Sequence, residues 1–284
     1  MSLAITTNVS SMVAQNSLAK TQTALSTSFA RLSSGMRINS AADDAAGLGI
    51  SKSMNAQVHS YAVAERNTND GISMLQTADG GAEQIHGLMT RMRELAVQAS
   101  NGSLSTNDYT NLDAEYQANS QEIDRISSSV QFNGINLLAG TVSAKNFQVG
   151  IGTAATDRIA VSFGGADSAS LIGATATDVT SFATAQTAIT QLDAGIQTLS
   201  GVRANFGAAM NRFQNTISNL QTMQTNTSAS LSRIRDADIA SETAILSKNQ
   251  VLSQAGAAIL GQANQTPQLA LGLLRADEHQ PSRR

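Results

Sequence analysis

The chain has 284 residues and a formal net charge of −3, so it lacks the basic surface that nucleic-acid binding requires. No run of about 18 apolar residues is present, which argues against membrane insertion, and the absence of cysteine excludes disulfides and cysteine-ligated metals. Aromatic residues make up 4% and Trp is absent, so the core is predicted to consist of aliphatic side chains along thin helical seams. Such a core favours assembly with further copies.

The first helix is predicted to begin near Asn8 or Ser10, because both residue types favour N-cap positions, and to end at Gly35. Leucines spaced by seven residues run along it, which is the repeat of a helix in a coiled coil. They are Leu18, Leu25 and Leu32. Residues 37–51 are rich in small residues and glycine, which predicts a loop that leads back into helix.

The second helix is predicted to run to about Ser100, and the third to begin at Ser105, where Asp108 has the spacing of a capping box. Because the turn between them is short, the two helices are expected to be antiparallel. Along the second helix, apolar or small residues alternate at steps of three and four, as in a coiled coil. They are Leu75, Ala78, Ala82, Ile85, Met89, Met92, Ala96 and Ala99. Residues 132–140, rich in Asn and Gly, are predicted to form a turn.

The middle of the chain changes to a period of two. Residues 147–151 and 159–163 alternate apolar with polar or small side chains, which predicts a β-hairpin. Residues 164–181 consist mainly of Gly, Ala, Ser and Thr, so a weakly specified surface excursion is expected there. The fold class is therefore predicted to be mainly α, with long antiparallel coiled-coil helices from both termini and a small β-hairpin region between them.

One long helix is predicted from about residue 182 to residue 264. Its apolar row slips by four residues before the final heptads, as in the stutter of a coiled coil. Those heptads carry Ile245, Leu252 and Ile259. The polar stretch 233–242, centred on Asp236 and Asp238, covers the slip and is interpreted as a joint between two stacked coiled-coil segments, with the linker 37–51 as its partner.

No group of residues predicts catalysis, a cofactor or a metal. Residues 150–155 fit a loose dinucleotide-loop pattern, but a strand-like run follows them instead of a helix. The histidines His59, His86 and His279 have no partners at metal-ligand spacing. Asp43 and Asp44 are adjacent, so their side chains diverge and a solvated linker is the preferred interpretation. The chain is predicted not to be an enzyme.

Long motifs near both ends resemble the bacterial flagellins. At the N-terminal end they are LSSGMRINSAADDAAGLGIS (32–51), NDGISMLQTADGG (69–81), RMRELAVQASNG (91–102) and FNGINLL (132–138). At the C-terminal end they are SRIRDADIASET (232–243) and QAGAAILGQANQTPQLALGLL (254–274). With so few residues between the two groups of motifs, the chain looks like a minimal flagellin with a very short central region.

The resemblance implies a structural subunit that polymerises into the extracellular filament used for swimming. It implies that residues 1–44 and 240–275 form a terminal coiled-coil domain that lines the filament bore. Residues 45–140 and 182–239 would form a helical rod domain in the next shell, and residues 141–181 the hairpin and a short surface excursion. Residues 276–284 extend past the usual end of the family as a polar tail.

Partners and packing residues follow from the same resemblance. The expected partners are further copies of the chain, the hook–filament junction and cap proteins, and an export chaperone that holds the C-terminal helix. Subunit packing is assigned to the seam residues of the first and last helices, named above. Arg91, Leu95 and Glu115 match the surface that the Toll-like receptor for flagellin recognises in many flagellins. The first twenty residues lack the pattern of a cleaved signal peptide, so secretion by another route is expected.

Two alternatives stay open at this stage. The first is a junction protein of the hook–filament boundary, which belongs to the same structural class. The second is a signalling coiled-coil rod, against which the strand-like runs at 147–151 and 159–163 argue.

Overall fold

The computed structural model describes residues 7–140, 144–173 and 178–277, with side chains described as far as residue 266. The helices are α1 (Val9–Ser34), α2 (Ala45–Ala99), α3 (Thr106–Ser129), α4 (Ser168–Ile172), α5 (Phe182–Arg235) and α6 (Ile239–Asp277). The strands are β1 (Gln131–Phe132), β2 (Ile135–Asn136), β3 (Lys145–Gln148) and β4 (Arg158–Val161). The predicted fold class, long helices with a small central β region, is confirmed.

The chain divides into two compact units. The first unit contains the described residues of 1–55 and 228–284, and in it α1 lies antiparallel to α6. The second unit contains the described residues of 56–227, where α2, α3 and α5 enclose a hydrophobic core together with the two hairpins.

Side-chain caps explain where two of the helices begin. The Asn8 side chain accepts a hydrogen bond from the Ser11 N–H, and Gly35 ends α1 at φ 69°, a conformation that favours glycine. The predicted capping box of α3 is confirmed: the Asp108 carboxylate accepts from the Ser105 N–H at 2.9 Å, and the Ser105 hydroxyl accepts from the Asp108 N–H. The hydrogen bond from the Ser105 backbone is also the main cause that lowers the pKa of Asp108.

The glycines of the 37–51 segment lie in helix, so the loop prediction was wrong for its second half. Asp44 accepts a hydrogen bond from the Gly47 N–H at 2.8 Å and so caps α2 at its first turn. A β-carbon at Gly47 would collide with the side chains of Asp44 and Ile38. Gly47 therefore serves close packing at the start of the helix.

The predicted seam of α2 forms the core of the second unit. All eight of its residues, from Leu75 to Ala99, are buried. The β3–β4 hairpin packs on α5 through two aromatic pairs, Phe147 with Phe213 at 5.4 Å and Phe163 with Phe206 at 5.7 Å between ring centroids. A β-carbon at Gly71 would come within 3.0 Å of Phe213, so this α2 glycine lets the hairpin and α5 approach closely.

Polar contacts between α2 and α5 fit one antiparallel register. Arg93 pairs with Asp193 at 2.6 Å, and Arg203 bridges Asp79 at 2.8 Å and Glu83 at 2.6 Å. Each is a surface pair, so each contributes little to stability alone. Their common register nevertheless agrees with the apolar seam.

The two hairpins differ in detail from the sequence prediction. The segment predicted as a turn at 132–140 begins with the last residue of β1 and contains β2. The two strands are joined at Asn133 and Gly134, which both have positive φ. In the larger hairpin, Lys145 pairs with Val161 and Gln148 with Arg158. The ladder ends at Gln148, earlier than predicted.

The excursion after β4 is anchored, so its description as weakly specified was wrong for the described residues. The Asp124 carboxylate on α3 accepts hydrogen bonds from the backbone N–H of Ser168 at 2.8 Å and from its hydroxyl at 2.9 Å. Asp113 accepts from the Val179 N–H at 2.9 Å. Buried apolar side chains complete the attachment, namely Ala166, Leu171, Ile172 and Val179. The anchors are carboxylates on another helix, which the composition of the segment cannot reveal.

Replacing Asp124 by Ala should loosen this attachment. Two hydrogen bonds to a charged acceptor are lost at an exposed site, so we expect the free energy of unfolding to fall by about 1–2 kcal/mol. Urea unfolding of the unpolymerised protein measures this. Asp70→Ala, which removes an exposed α2 carboxylate, is the matched control. Equal stability of the two variants would contradict the anchor.

The buried tyrosine of α3 should make the second unit sensitive to alkali. Burial, reinforced by the charges of Asp113 and Asp178, raises the pKa of Tyr116 to about 12 from 10.0. Between these two values only the unfolded state releases the proton, so the free energy of unfolding should fall with rising pH by about 1.4 kcal/mol per pH unit. Urea titrations at several pH values should show this slope in the parent and its loss in Tyr116→Phe. If the free energy of unfolding fell with pH equally in both proteins, the role of Tyr116 would be contradicted.

Candidate assembly surface on the terminal helices

The seam between α1 and α6 follows a strict heptad pattern on both helices. On α1 the buried or half-buried positions that recur at steps of three and four are Ser11, Ala14, Leu18, Thr21, Leu25, Ser28 and Leu32. On α6 they are Glu242, Leu246, Asn249, Ser253, Gly256, Leu260 and Ala263. The three predicted α1 leucines therefore lie on this seam. Most other members are small or polar, so the seam buries little apolar surface.

Polar contacts close the seam near both of its ends. At one end the Asn8 amide donates to the Ala263 carbonyl at 2.8 Å, and the Ser11 hydroxyl donates to the Asn264 side chain at 2.8 Å. Toward the other end, Arg31 lies 3.7 Å from Glu242.

The predicted α6 residues lie on the flank of the helix beside this seam, each directly before a seam residue. Ile245, Leu252 and Ile259 are 42%, 46% and 61% exposed, so they are not part of the seam with α1. The sequence shows them as the strongest apolar row, whereas α6 uses the neighbouring row of small and polar residues against α1. A heptad search that counted small residues as seam residues would have found it. Whether these three residues pack between copies is a separate prediction.

The outer face of this helix pair is unusually apolar. Large apolar side chains are exposed along both helices, whereas exposed helix faces of soluble proteins are normally polar. On α1 they are Val9, Met12, Val13 and Phe29, and on α6 they are Ile239, Ile245, Val251, Leu252 and Ile259. Such a face is suited to packing against further protein.

The joint residues lie where the C-terminal helix is interrupted. The single helix predicted from 182 to 264 was wrong, because α5 ends at Arg235 and α6 begins at Ile239. Asp238 caps α6 by accepting hydrogen bonds from the Ala240 N–H at 2.9 Å and the Ser241 N–H at 3.2 Å. Asp236 forms an antiparallel bridge with Met36. At the interruption, the backbone N–H groups of Ala240 and Ser241 are therefore bonded to the Asp238 side chain, and the Asp236 backbone pairs with that of Met36.

The linker pairs with this interruption through its backbone. The Arg37 N–H donates to the Arg235 carbonyl at 2.6 Å, and the Ala237 N–H donates to the Gly35 carbonyl at 2.9 Å. Further along, Asp43 accepts hydrogen bonds from the Ser40 and Asn39 backbone, and the Ser40 contact is the main cause that lowers the pKa of Asp43. Its carboxylate is engaged in holding the turn.

The predicted receptor surface is only partly exposed. Arg91 pairs with Glu94 at 2.9 Å and with Glu115 at 2.8 Å, and these hydrogen bonds, that from Glu94 first, raise the pKa of Arg91. Leu95 is 1% exposed and belongs to the core, so its place on an exposed face was wrong. Arg91 and Leu95 are one helical turn apart, but the Arg91 side chain is exposed whereas Leu95 belongs to the buried core cluster.

Two open grooves flank the turn of the β3–β4 hairpin. The larger, of about 880 Å³, is lined by residues that include Asp157, Arg158 and Arg212, and the smaller, of about 460 Å³, by residues that include His59. Residues 150–155 form the turn between them. Among the described side chains no group of three or more His, Asp or Glu could hold a metal ion. His279 lies outside the described residues.

No helix in the described part of the chain contains a stretch that is long and apolar enough to cross a bilayer.

Comparisons with known proteins agree with the motifs at both ends. Residues 5–143 match the bacterial flagellin N-terminal helical region, and residues 182–274 match the bacterial flagellin C-terminal helical region. A flagellin of Halalkalibacterium halodurans is 43% identical over 246 residues, which cover 86% of this chain and 90% of that protein. A flagellin of Bacillus subtilis is 40% identical over 299 residues, which cover 94% of this chain and 98% of that protein.

Among solved structures, the crystal structure of Bacillus cereus flagellin is 34% identical, with a TM-score of 0.49, and covers 58% of this chain and 94% of its own. The curated relatives align with the chain over nearly their whole length, and the two matched helical regions contain the seam of α1 with α6 and the core of α2 with α5. The chain therefore belongs to the bacterial flagellins, the structural subunits of the flagellar filament.

Proposed function

We propose that copies of this chain pack against one another through the outer face of the α1–α6 pair. Residues 1–44 and 240–275 would then form the inner layer around the filament bore, with residues 45–140 and 182–239 in the next shell. Residues 141–181, the hairpin and its anchored excursion, would lie outside that shell. The apolar outer face of α1 and α6 carries the proposal, because its side chains are exposed and no segment within the described residues covers them.

The three exposed α6 residues define the centre of this surface. Ile245, Leu252 and Ile259 recur every seven residues, so they lie along one stripe of the helix. A helix from another copy that packs against this stripe would bury it, as the a and d rows of coiled coils bury one another. We therefore still predict that these three residues pack between subunits, and we place the contact on the outer face of the α1–α6 pair.

Replacing Leu252 by Asp should block polymerisation and leave the second unit folded. A carboxylate on the stripe would be desolvated without a partner, at a cost of several kcal/mol per contact. Ser181→Asp is the control, because Ser181 precedes α5 and accepts a hydrogen bond from the Thr184 N–H, a capping role that Asp fills equally well. Salting-out followed by sedimentation and electron microscopy measures assembly. Equal filament yields from the two variants would overturn the packing role of Leu252.

The terminal helices should order only when copies assemble. Their seam is made largely of Ser, Thr, Ala, Asn and Gly, so its burial offsets little of the ordering cost, which is about 1–2 kcal/mol per residue for the backbone. Neighbouring copies would supply the missing burial, as for segments that fold on binding.

Amide exchange on monomer and filament tests this coupling. Residues 9–34 and 245–266 should exchange freely in the monomer and become protected in the filament, whereas the α2, α3 and α5 residues of the second unit stay protected in both. Strong protection of α1 and α6 in dilute monomer would show that these helices fold without neighbours.

Further partners follow from the same exposed face. An export chaperone that covers α6 before assembly would shield the apolar stripe, and the hook–filament junction and cap proteins would meet it at the ends of the polymer.

A separate surface on α2 and α3 carries the proposed receptor contact. Arg91 and Glu115 are exposed and would contact a Toll-like receptor, with Leu95 supporting them from the core.

We assign the chain a mechanical role without catalysis. The charged side chains around the joint and caps, such as Asp43, Asp44 and Asp238, are engaged with backbone N–H groups. The relatives reported above are flagellins, which favours the filament subunit over the hook–filament junction protein. A signalling rod would not match both flagellin regions.

A further inference from the structure

We propose that the ion pair between Arg31 and Glu242 sets the register in which α1 pairs with α6. The inference deepens the proposed assembly role, because that role requires the two terminal helices to present one outer face. It rests on three observations: the partly buried position of the pair, the scarcity of other charges on the two helices, and a seam whose other residues discriminate poorly between registers.

Charge is nearly absent from these two helices. In α1 the charged residues are Lys20 and Arg31, and in the part of α6 with described side chains they are Glu242 and Lys248. Both lysines are exposed, away from the seam. Glu242 is therefore the one carboxylate that either helix offers through residue 266. Arg31 pairs with it and also interacts electrostatically with Asp43 of the linker.

The pair is withdrawn from solvent. Only 9% of the Glu242 side chain and 29% of the Arg31 side chain are exposed, and Arg31 Nη1 lies 3.7 Å from Glu242 Oε2. The Arg31 Nε is buried and has no hydrogen-bond partner. A buried charge that loses its counter-charge is strongly unfavourable, so a pairing that separates the two is disfavoured.

The rest of the seam discriminates poorly between registers. Leucines and small or polar residues both recur at heptad spacing along the two helices, so a slip of seven residues gives a seam of similar composition. The charges respond differently. One slip moves Arg31 past the start of α6 at Ile239, and the opposite slip brings it opposite Asn249 and carries Glu242 past the end of α1. A single polar or charged position is known to specify register in this way.

Disulfide trapping reports the register directly, because the chain contains no cysteine. A β-carbon at Gly256 would lie 4.0 Å from the Leu18 Cβ, within the range of about 3.5–4.5 Å that disulfides span. Leu18→Cys with Gly256→Cys therefore links the observed register. Leu18→Cys with Asn249→Cys, or with Ala263→Cys, links the two slipped registers.

The links are measured on full-length protein polymerised by salting out, then oxidised and dissolved. Intrachain links shift the monomer band, and links between copies give dimers. With the parent pair, we expect the observed register to link at least about tenfold faster than either slipped register. Arg31→Met should raise the slipped links by about tenfold relative to the observed one. The charge exchange Arg31→Glu with Glu242→Arg should restore the parent ratio.

Arg37→Ala is the matched comparison, because it removes another arginine, whose guanidinium donates to the Ile234 carbonyl at the joint, and leaves the seam pair intact. It should leave the ratio unchanged. A ratio that follows Arg37 and ignores Arg31 would overturn the proposal and assign register to the joint. If Arg31→Met forms no filament, the charge exchange decides: restored filaments with parent links support the proposal, and failed assembly overturns it. Loss of polymerisation in the parent chain would instead contradict the assembly role.

Discussion

The α1–α6 pair joins the two ends of the chain through a single row of side chains on each helix, and that row is largely Ser, Thr, Ala, Asn and Gly. Helices gain most of their stability from packing an apolar face, so a row of this composition leaves the pair dependent on other contacts. Beside the seam leucines, several large apolar residues of the two helices, such as Phe29 and Leu252, are exposed. The proposed packing between copies would bury this exposed apolar surface.

The second unit has a hydrophobic core formed within one molecule. Its α2 helix is buried on two sides, so rows of Leu, Ile, Met and Ala pack against α3, α5 and the hairpins. The phenylalanines of α5 meet those of the β3–β4 hairpin, where Gly71 permits a close approach. A unit that completes its own core can fold before assembly. The two units therefore differ in where their apolar side chains lie: in a core within the second unit, and partly on the exposed surface of the first.

Charged side chains serve mainly to place backbone segments. Asp44, Asp108 and Asp238 cap helices, and Asp124 and Asp113 fasten the excursion to α3. Carboxylates that accept backbone N–H groups satisfy donors that a helix end or an irregular segment would otherwise leave unpaired. This use of acidic residues gives a protein with sharply defined helix ends, as a subunit that must stack in a regular polymer requires.

The sequence by itself determined the long helices, their caps at Asn8 and Ser105, the α2 seam and the family, because heptad periodicity, capping residues and long motifs are local signals. Tertiary structure alone decided which row of α6 meets α1, because a seam of small residues carries no apolar signal and the more hydrophobic row at Leu252 misleads. It also decided the anchoring of the excursion and the burial of Leu95, since both depend on residues distant in the chain. Local pattern specifies an element, whereas the face that an element buries depends on what packs against it.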